Sequence, residues 1–272
     1  MNSARWFLAY TLLCSLTLDV AAYDYERQFD AAQPNTWPVI AIIIDDLGNG
    51  REEGNRAIEL PGPVAYAILP HTPFGPSFAR KANDLGKEVL LHQPLQATHR
   101  NHLLGDGAIT IDHTQEDVLR TLRGNLDTVP FAVGVNNHMG SLLTQRTGHM
   151  RWLMQAISQS PLYFVDSVTS GRSVAQSVAA EVGVPTARRD VFLDSDPSYE
   201  AVAQQFERLK QHARRHGFAL GIGHPFPHTL SVLERELPRL AGLGYRFVSV
   251  QRMIELQGHP LSEPLSIREE SP

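Results

Sequence analysis

Val39-Ile40-Ala41-Ile42-Ile43-Ile44-Asp45-Asp46-Leu47-Gly48 runs six apolar residues straight into two carboxylates and a glycine. A stretch apolar at successive positions has no face to offer water, so it reads as a strand buried on both sides, the signature of a parallel sheet. Similar short runs recur at Val64–Leu69, Glu88–His92, Ala132–Val135, Leu162–Val165, Arg189–Leu193, Phe218–Ile222 and Tyr245–Val248. The segments between them carry helix punctuation. Thr114-Gln115-Glu116-Asp117 opens one as an approximate capping box. Another, Tyr199 to His216, gathers Arg214, Arg215 and His216 at its end and is followed by Gly217. Strand alternating with helix predicts a parallel sheet with right-handed crossovers. Seven or eight such strands predict a single-domain α/β fold, an irregular (β/α)7-8 barrel; an open doubly wound sheet is the alternative.

Outside that region the chain reads differently. Arg5 precedes an apolar run from Trp6 to Leu18, and Val20-Ala21-Ala22 supplies a small-residue exit. Those are the parts of a secretory signal peptide, and the run is shorter than the roughly 20 residues of a membrane span. An uncleaved anchor is the alternative; Leu13 before Cys14 argues against a lipoprotein signal. The expected organisation is a signal peptide over 1–22, a linker over 23–36, the barrel over 37–257 and a loose tail over 258–272. The processed protein is expected in the periplasm, without a membrane span. Cys14 is the only cysteine and lies in the leader. Any transition-metal site in the processed chain must therefore use His, Asp and Glu. A net charge of −5 with both signs interspersed excludes a nucleic-acid footprint, which needs a basic face.

Functional residues of parallel α/β folds sit at the C-terminal ends of strands. Those positions hold Asp45-Asp46, His71, His92, Asn136-Asn137-His138, Asp166-Ser167, Asp194 and His224. Two adjacent carboxylates at a buried strand end repel each other and lose hydration, and a bound cation removes that penalty. Carboxylates and imidazoles together suit a divalent ion such as zinc. The plainer alternative for the pair is a helix N-cap with a solvated neighbour. His92 on its own reads more readily as a hydrogen-bonded core histidine than as a ligand. Asn136 to Ser141 has little packing value and reads as a binding loop. His224, after Gly221-Ile222-Gly223, is poised as an acid or base, whereas His228 reads as ordinary surface.

Ile44-Asp45-Asp46-Leu47-Gly48, Leu91-His92-Gln93-Pro94, Asn136-Asn137-His138-Met139-Gly140-Ser141, Asp166-Ser167-Val168-Thr169, Arg189 to Asp194 and Gly223-His224-Pro225 occur in this order between about residues 38 and 255. Together they resemble the divergent polysaccharide deacetylases, relatives of the NodB-type carbohydrate esterases. The resemblance implies a NodB-like barrel, one divalent metal, and removal of N-acetyl groups from an envelope or extracellular polysaccharide. It implies Asp45 as general base, Asp46 and His92 as metal ligands, and His224 as the acid that protonates the leaving amine. The usual second ligand histidine, four residues after the first, is Gln96 here, which makes His138 the expected replacement. The usual Arg-Pro-Tyr loop is replaced by Asn136 to Ser141. Asn136, Asn137 and Asp166 are the expected substrate or oxyanion contacts. The competing expectations are a catalytically inactive glycan-binding or envelope-assembly protein on the same metal fold, and a metal-dependent hydrolase of another amide or ester.

Overall fold

The computed structural model describes residues 36–258. The predicted leader, the linker up to residue 35 and the tail beyond residue 258 lie outside them. Nine strands form one parallel sheet: β1 (Val39–Leu47), β2 (Ala65–Ile68), β3 (Val89–Leu95), β4 (Ala132–Met139), β5 (Tyr163–Asp166), β6 (Thr186–Arg188), β7 (Val191–Phe192), β8 (Phe218–Gly223) and β9 (Arg246–Phe247). Eight α-helices lie between and after them: α1 (Arg51–Ile58), α2 (Gly75–Asp84), α3 (Gln115–Thr128), α4 (Thr147–Ile157), α5 (Ala175–Val182), α6 (Tyr199–His216), α7 (Pro227–Glu236) and α8 (Val250–Leu256). Among the described residues no helix is long and apolar enough to cross a membrane.

Strand order decides between the two predicted architectures. It runs β6-β5-β4-β3-β2-β1-β8-β7, with β9 also paired to β1. Successive strands stay neighbours and the last long strand returns beside the first. That is barrel order, without the reversal that defines a doubly wound sheet. Among the described residues β6 and β7 do not pair, so the sheet is a curled half-barrel open at that seam. The predicted strand over Arg189–Leu193 shrinks to the two residues of β7, and β6 was not anticipated. At the seam a strand has one partner only, so little apolar pattern marks it.

Side chains alternate across the sheet. Ile40, Ile42 and Ile44 of β1 join Tyr66, Leu91, Val135 and Phe164 in the large core between sheet and helices. Val39, Ala41 and Ile43 face the interior with Ala65, Leu90, Tyr163, Val165, Ala187, Leu220 and Ile222. The helices follow their punctuation. Thr114 Oγ1 accepts from the Asp117 amide while Asp117 Oδ2 accepts from the Thr114 amide, closing the capping box of α3. α6 buries Val202, Phe206, Leu209 and Ala213 and stops at Gly217, whose φ of 87° is left-handed.

Gly134 shows how tightly the interior is filled. A Cβ there would lie 2.5 Å from the buried ring of Tyr163, whose hydroxyl donates to Glu88, and Glu88 accepts the first amides of α8. Gly134→Ala is expected to destabilise the fold by about 1–3 kcal/mol through overpacking. The measurement is urea unfolding, in which the midpoint should fall while the slope stays constant. An unchanged midpoint would show that Tyr163 can yield.

Candidate metal centre and catalytic cavity

Alternation accounts for most of the polar residues that reach the barrel mouth; Asn137, outward in parity like Val135, also lines it. Asp45 continues the inward parity of Ala41 and Ile43, and Asp46 should point outward. It does not, because its φ is +60° and the β1–β2 register shifts between Ile44 and Leu47. This bulge turns two consecutive carboxylates towards one cavity. His92 follows inward Leu90, and His138 and Asn136 follow inward Gly134. The β3–β4 pairing continues through Pro94↔His138 to Leu95↔Met139, so the first part of the expected binding loop over Asn136 to Ser141 is strand. His224 follows inward Ile222. The cavity has a volume of about 460 Å³, and its wall includes Asp45, Asp46, His92, Asn137, His138, Arg189 and His224.

Asp46, His92 and His138 form the cluster able to hold a cation. Asp46 Oδ1 lies 2.9 Å from His138 Nδ1 and 3.1 Å from His92 Nε2, and the two nitrogens are 3.3 Å apart. Ligand atoms about 2.0–2.1 Å from a tetrahedral zinc stand roughly 3.3–3.4 Å from one another, close to this triangle. Asp46 Oδ1 is buried yet has no well-formed hydrogen-bond partner. A buried carboxylate oxygen in that condition is costly unless a cation meets it. The donor set therefore fits a divalent ion. Burial opposes ionisation of Asp46, but in the metal-free site hydrogen bonds and positive charge from the protonated rings of His138 and His92 outweigh it and hold the carboxyl far below its usual range.

Each ring is oriented from behind. Asn136 Oδ1 lies 2.8 Å from His92 Nδ1, and Asn136 Nδ2 donates to Asp45 Oδ1 at 2.7 Å. The amide can accept only through its oxygen, so His92 carries its hydrogen on Nδ1 and presents Nε2 to Asp46. The carbonyl of Leu103, 3.2 Å from His138 Nε2, does the same for that ring and leaves Nδ1 facing the cluster. Burial pushes the Asp45 carboxyl up, against the opposing pull of His92 and His224. Asp194 receives His224 Nδ1 at 2.9 Å, together with the His224 amide and the Thr229 hydroxyl. Burial would lower the His224 pKa, but the hydrogen bond and charge of Asp194, aided by Asp46 and Asp45, lift it to about 9. His224 Nε2 then faces Asp46 Oδ2 at 3.7 Å.

The remaining expected residues are placed differently. Asn136 is fully buried behind His92, outside the cavity wall. Asp166 has outward parity after Val165; its oxygens take the Val168 amide and the Ser173 hydroxyl, and it too lies outside the wall. Asn137 is in the wall, donating to the Met139 carbonyl and accepting from the Ser167 amide. His71 bonds Asn125 and lines a separate cavity of about 220 Å³. Gln96 faces away from the cluster, its side-chain oxygen accepting from the Ile111 amide. Two residues were not assigned roles from sequence. Asp194 stood among the strand ends without a partner to give it meaning. Arg189 has inward parity two residues after Ala187, a signal that alternation alone contained.

A curled parallel sheet with a carboxylate–imidazole cluster at its mouth defines a NodB-like deacetylase fold. The model of the divergent polysaccharide deacetylases matches residues 42–254, and the chain belongs to that family. It is 37% identical over 196 residues to the uncharacterized protein YibQ of Escherichia coli (strain K12), across 72% of this chain and 61% of YibQ. The chain thus spans less than two thirds of that relative's length. Among solved structures, the uncharacterized protein ATU2773 from Agrobacterium tumefaciens C58 superposes with a TM-score of 0.78 at 21% identity, covering 85% of this chain and 94% of that one. A T48 deacetylase with substrate gives 0.52 at 14% identity, covering 85% and 97%. A mutant of BA3943, described as a CE4 family pseudoenzyme with restored enzymatic activity, gives 0.51 at 15% identity, covering 81% and 69%. At these identities the structural likenesses establish the fold.

Two outcomes follow for the groups behind the rings. Asn136→Ala is expected to weaken binding of a divalent cation about 10–100-fold, read with zinc as the probe by competition with a chromophoric chelator; undiminished affinity would remove Asn136 from the site. In chelator-treated protein the His224 pKa is raised from 6.5 to about 9, so the folded state binds more protons in that window. The stability this gives is complete below about pH 6.5 and is lost as pH rises through about 9. Asp194→Asn should flatten that loss in urea unfolding between pH 6 and 9.5, whereas an unchanged slope would mean another group sets it.

Proposed function

We propose that the chain is a metal-dependent N-deacetylase acting on an envelope or extracellular polysaccharide. The observation that carries this reading is the convergence of Asp45, His224 and the Asp46–His92–His138 cluster on one cavity. Asp46, His92 and His138 would hold one divalent cation, and their two imidazoles and single carboxylate favour zinc. When bound, such an ion supplies a Lewis acid for the acetamide carbonyl.

The chain's own residues account for the proton transfers. Asp45 Oδ1 is engaged by Asn136, which leaves Oδ2 to take a proton from the attacking water. Burial makes Asp45 a stronger base than a solvated carboxylate. His224, held protonated by Asp194, gives its Nε2 proton to the amine nitrogen as the C–N bond breaks. Acetate and a free amino sugar result. Asn137, in the wall, braces the β4 and β5 loops and remains the proposed side-chain contact to the acyl oxygen. The leader-like residues 1–22 support export across the inner membrane, so we extend the proposal to a periplasmic location.

A second reading is a non-catalytic glycan-binding or envelope-assembly protein. The Gln96 substitution favours it, as does the fold's likeness to a protein described as a pseudoenzyme. Asp45 and His224 separate the two, because acid–base work needs both and binding needs neither. Acetate release is to be measured on chitooligosaccharides and peptidoglycan fragments with zinc-loaded protein. Asp45→Asn is expected to lower the rate about 10²–10⁴-fold with zinc content unchanged. Intact glycan binding with no acetate from any substrate would sink the enzyme reading and leave the binding one.

A further inference from the structure

Among the described residues Arg189 is the only lysine or arginine in the cavity wall. Its guanidinium is fixed rather than free to swing. Nε donates to the Ser167 carbonyl at 2.7 Å, Nη2 donates to the Val168 carbonyl at 2.8 Å, and the group stands 4.9 Å from the centre of the Phe192 ring. An arginine has five N–H donors in one plane. Here two directions of that fork are anchored, and Nη1 donates to no acceptor among the described residues.

What the guanidinium lacks is a counter-charge. No carboxylate oxygen of the described residues lies within 4.0 Å of it, although Asp45 and Asp166 act on it at longer range. It therefore makes no ion pair with the carboxylates proposed for the chemistry. A brace for the loop after β5 would need only hydrogen-bonding capacity, not a half-buried fixed charge on a cavity wall. The wall also carries the apolar side chains of Val168, Ile222 and Phe192, the last of them beneath the guanidinium. Anchored, planar and short of an anion, the group has the chemistry that recognises a carboxylate through paired N–H donors.

We propose that Arg189 binds a carboxylate of the substrate, so that the glycan acted on is an acidic one, an N-acetylated sugar bearing a carboxylate close to its acetamido group. The inference rests on the deacetylase reading above and deepens it. Arg189 lines the same cavity as the Asp46–His92–His138 cluster, so one sugar can offer its acetamide to the cluster and a carboxylate carried on the substituent of the next carbon to Arg189. Neutral chitin-like chains would leave the guanidinium unpaired on binding, a penalty that discriminates against them.

The test uses zinc-loaded Asp45→Asn protein, so that binding is read without turnover. Calorimetry compares N-acetylmuramic acid, whose lactyl carboxylate stands beside the acetamido carbon, with its methyl ester and with N,N′-diacetylchitobiose. The acid should bind at least tenfold tighter than the ester. Arg189→Gln, which keeps a donor for the loop carbonyls, should bring that ratio close to one, and Arg189→Lys should leave an intermediate preference. Zinc stoichiometry checks that each variant retains the cluster. Equal binding of acid and ester with Arg189 intact, or chitobiose bound as tightly as the acid, overturns the acidic-glycan inference and leaves the deacetylase reading standing. A preference that survives Arg189→Gln assigns the carboxylate to another group, the metal included, and overturns the role of Arg189. Binding of none of the three sinks both readings.

Discussion

Two carboxylates on consecutive residues of a buried strand are the constraint around which the rest of this molecule is arranged. In a regular strand Asp45 and Asp46 would point to opposite faces. The bulge after Ile44 and the left-handed backbone of Asp46 bring both to the same cavity, where their charges repel and water is scarce. Backbone in that conformation costs of order 1–3 kcal/mol and persists only where its surroundings over-determine it. Here they do. β1 is hydrogen-bonded to β8 along Val39–Ile44, to β2 beyond Ile43 and to β9 at its start, and most of its side chains are fully buried. The strand with three partners in the sheet is the one that carries this strained backbone and its paired charges.

Three imidazoles then answer the two carboxylates, and each is held by a different kind of partner. His92 is held by an amide, His138 by a backbone carbonyl and His224 by a carboxylate. The difference has chemical consequences. Neutral acceptors behind His92 and His138 orient the rings without giving them a full negative charge, which suits ligands that must be unprotonated at the metal-facing nitrogen. Asp194 behind His224 favours the imidazolium, which suits a proton donor. Asn136 adds economy, since one amide orients a proposed ligand and the proposed base together.

Much of this was legible before the structure. Apolar runs gave the strand positions, and the concentration of Asp and His after them singled out the cavity. The places of Asp166 and Arg189 went unread for one reason. Strand ends were treated as equivalent, although the pleat continues through them. Counting parity from Ala41, Leu90, Gly134, Ile222 and Ala187 sends Asp45, His92, Asn136, His138, His224 and Arg189 inward, whereas counting from Val165 sends Asp166 outward. The same count would have moved Asp166 off the cavity wall and brought Arg189 onto it. Asp46 is the position parity cannot reach, because the bulge that turns it is a property of pairing between β1 and β2. Burial of Asn136 was equally hidden, since its role depends on two residues far away in sequence.

With His138 as the proposed ligand and Gln96 four residues after His92, the cluster depends on pairing between strands. A second histidine four residues after His92 would belong to the same segment as the first. His138 instead belongs to β4, so its place beside His92 is set by the pairing of Gln93 with Asn137 and Pro94 with His138. A slip of one residue would send its ring to the helix side of the sheet. The register is pinned by Leu91, Val135 and Leu95 in the outer core, and by the loop that Gln96 now serves. Gln96 holds the Ile111 amide, while its backbone pairs with Ile109, Leu142 and Leu143. Asn125 ties Gln93 and the Gly107 carbonyl of the same loop to α3. That loop carries Leu103, whose carbonyl orients His138. Gln96, at the position of that second histidine, thus helps to hold the segment that orients His138, the proposed ligand.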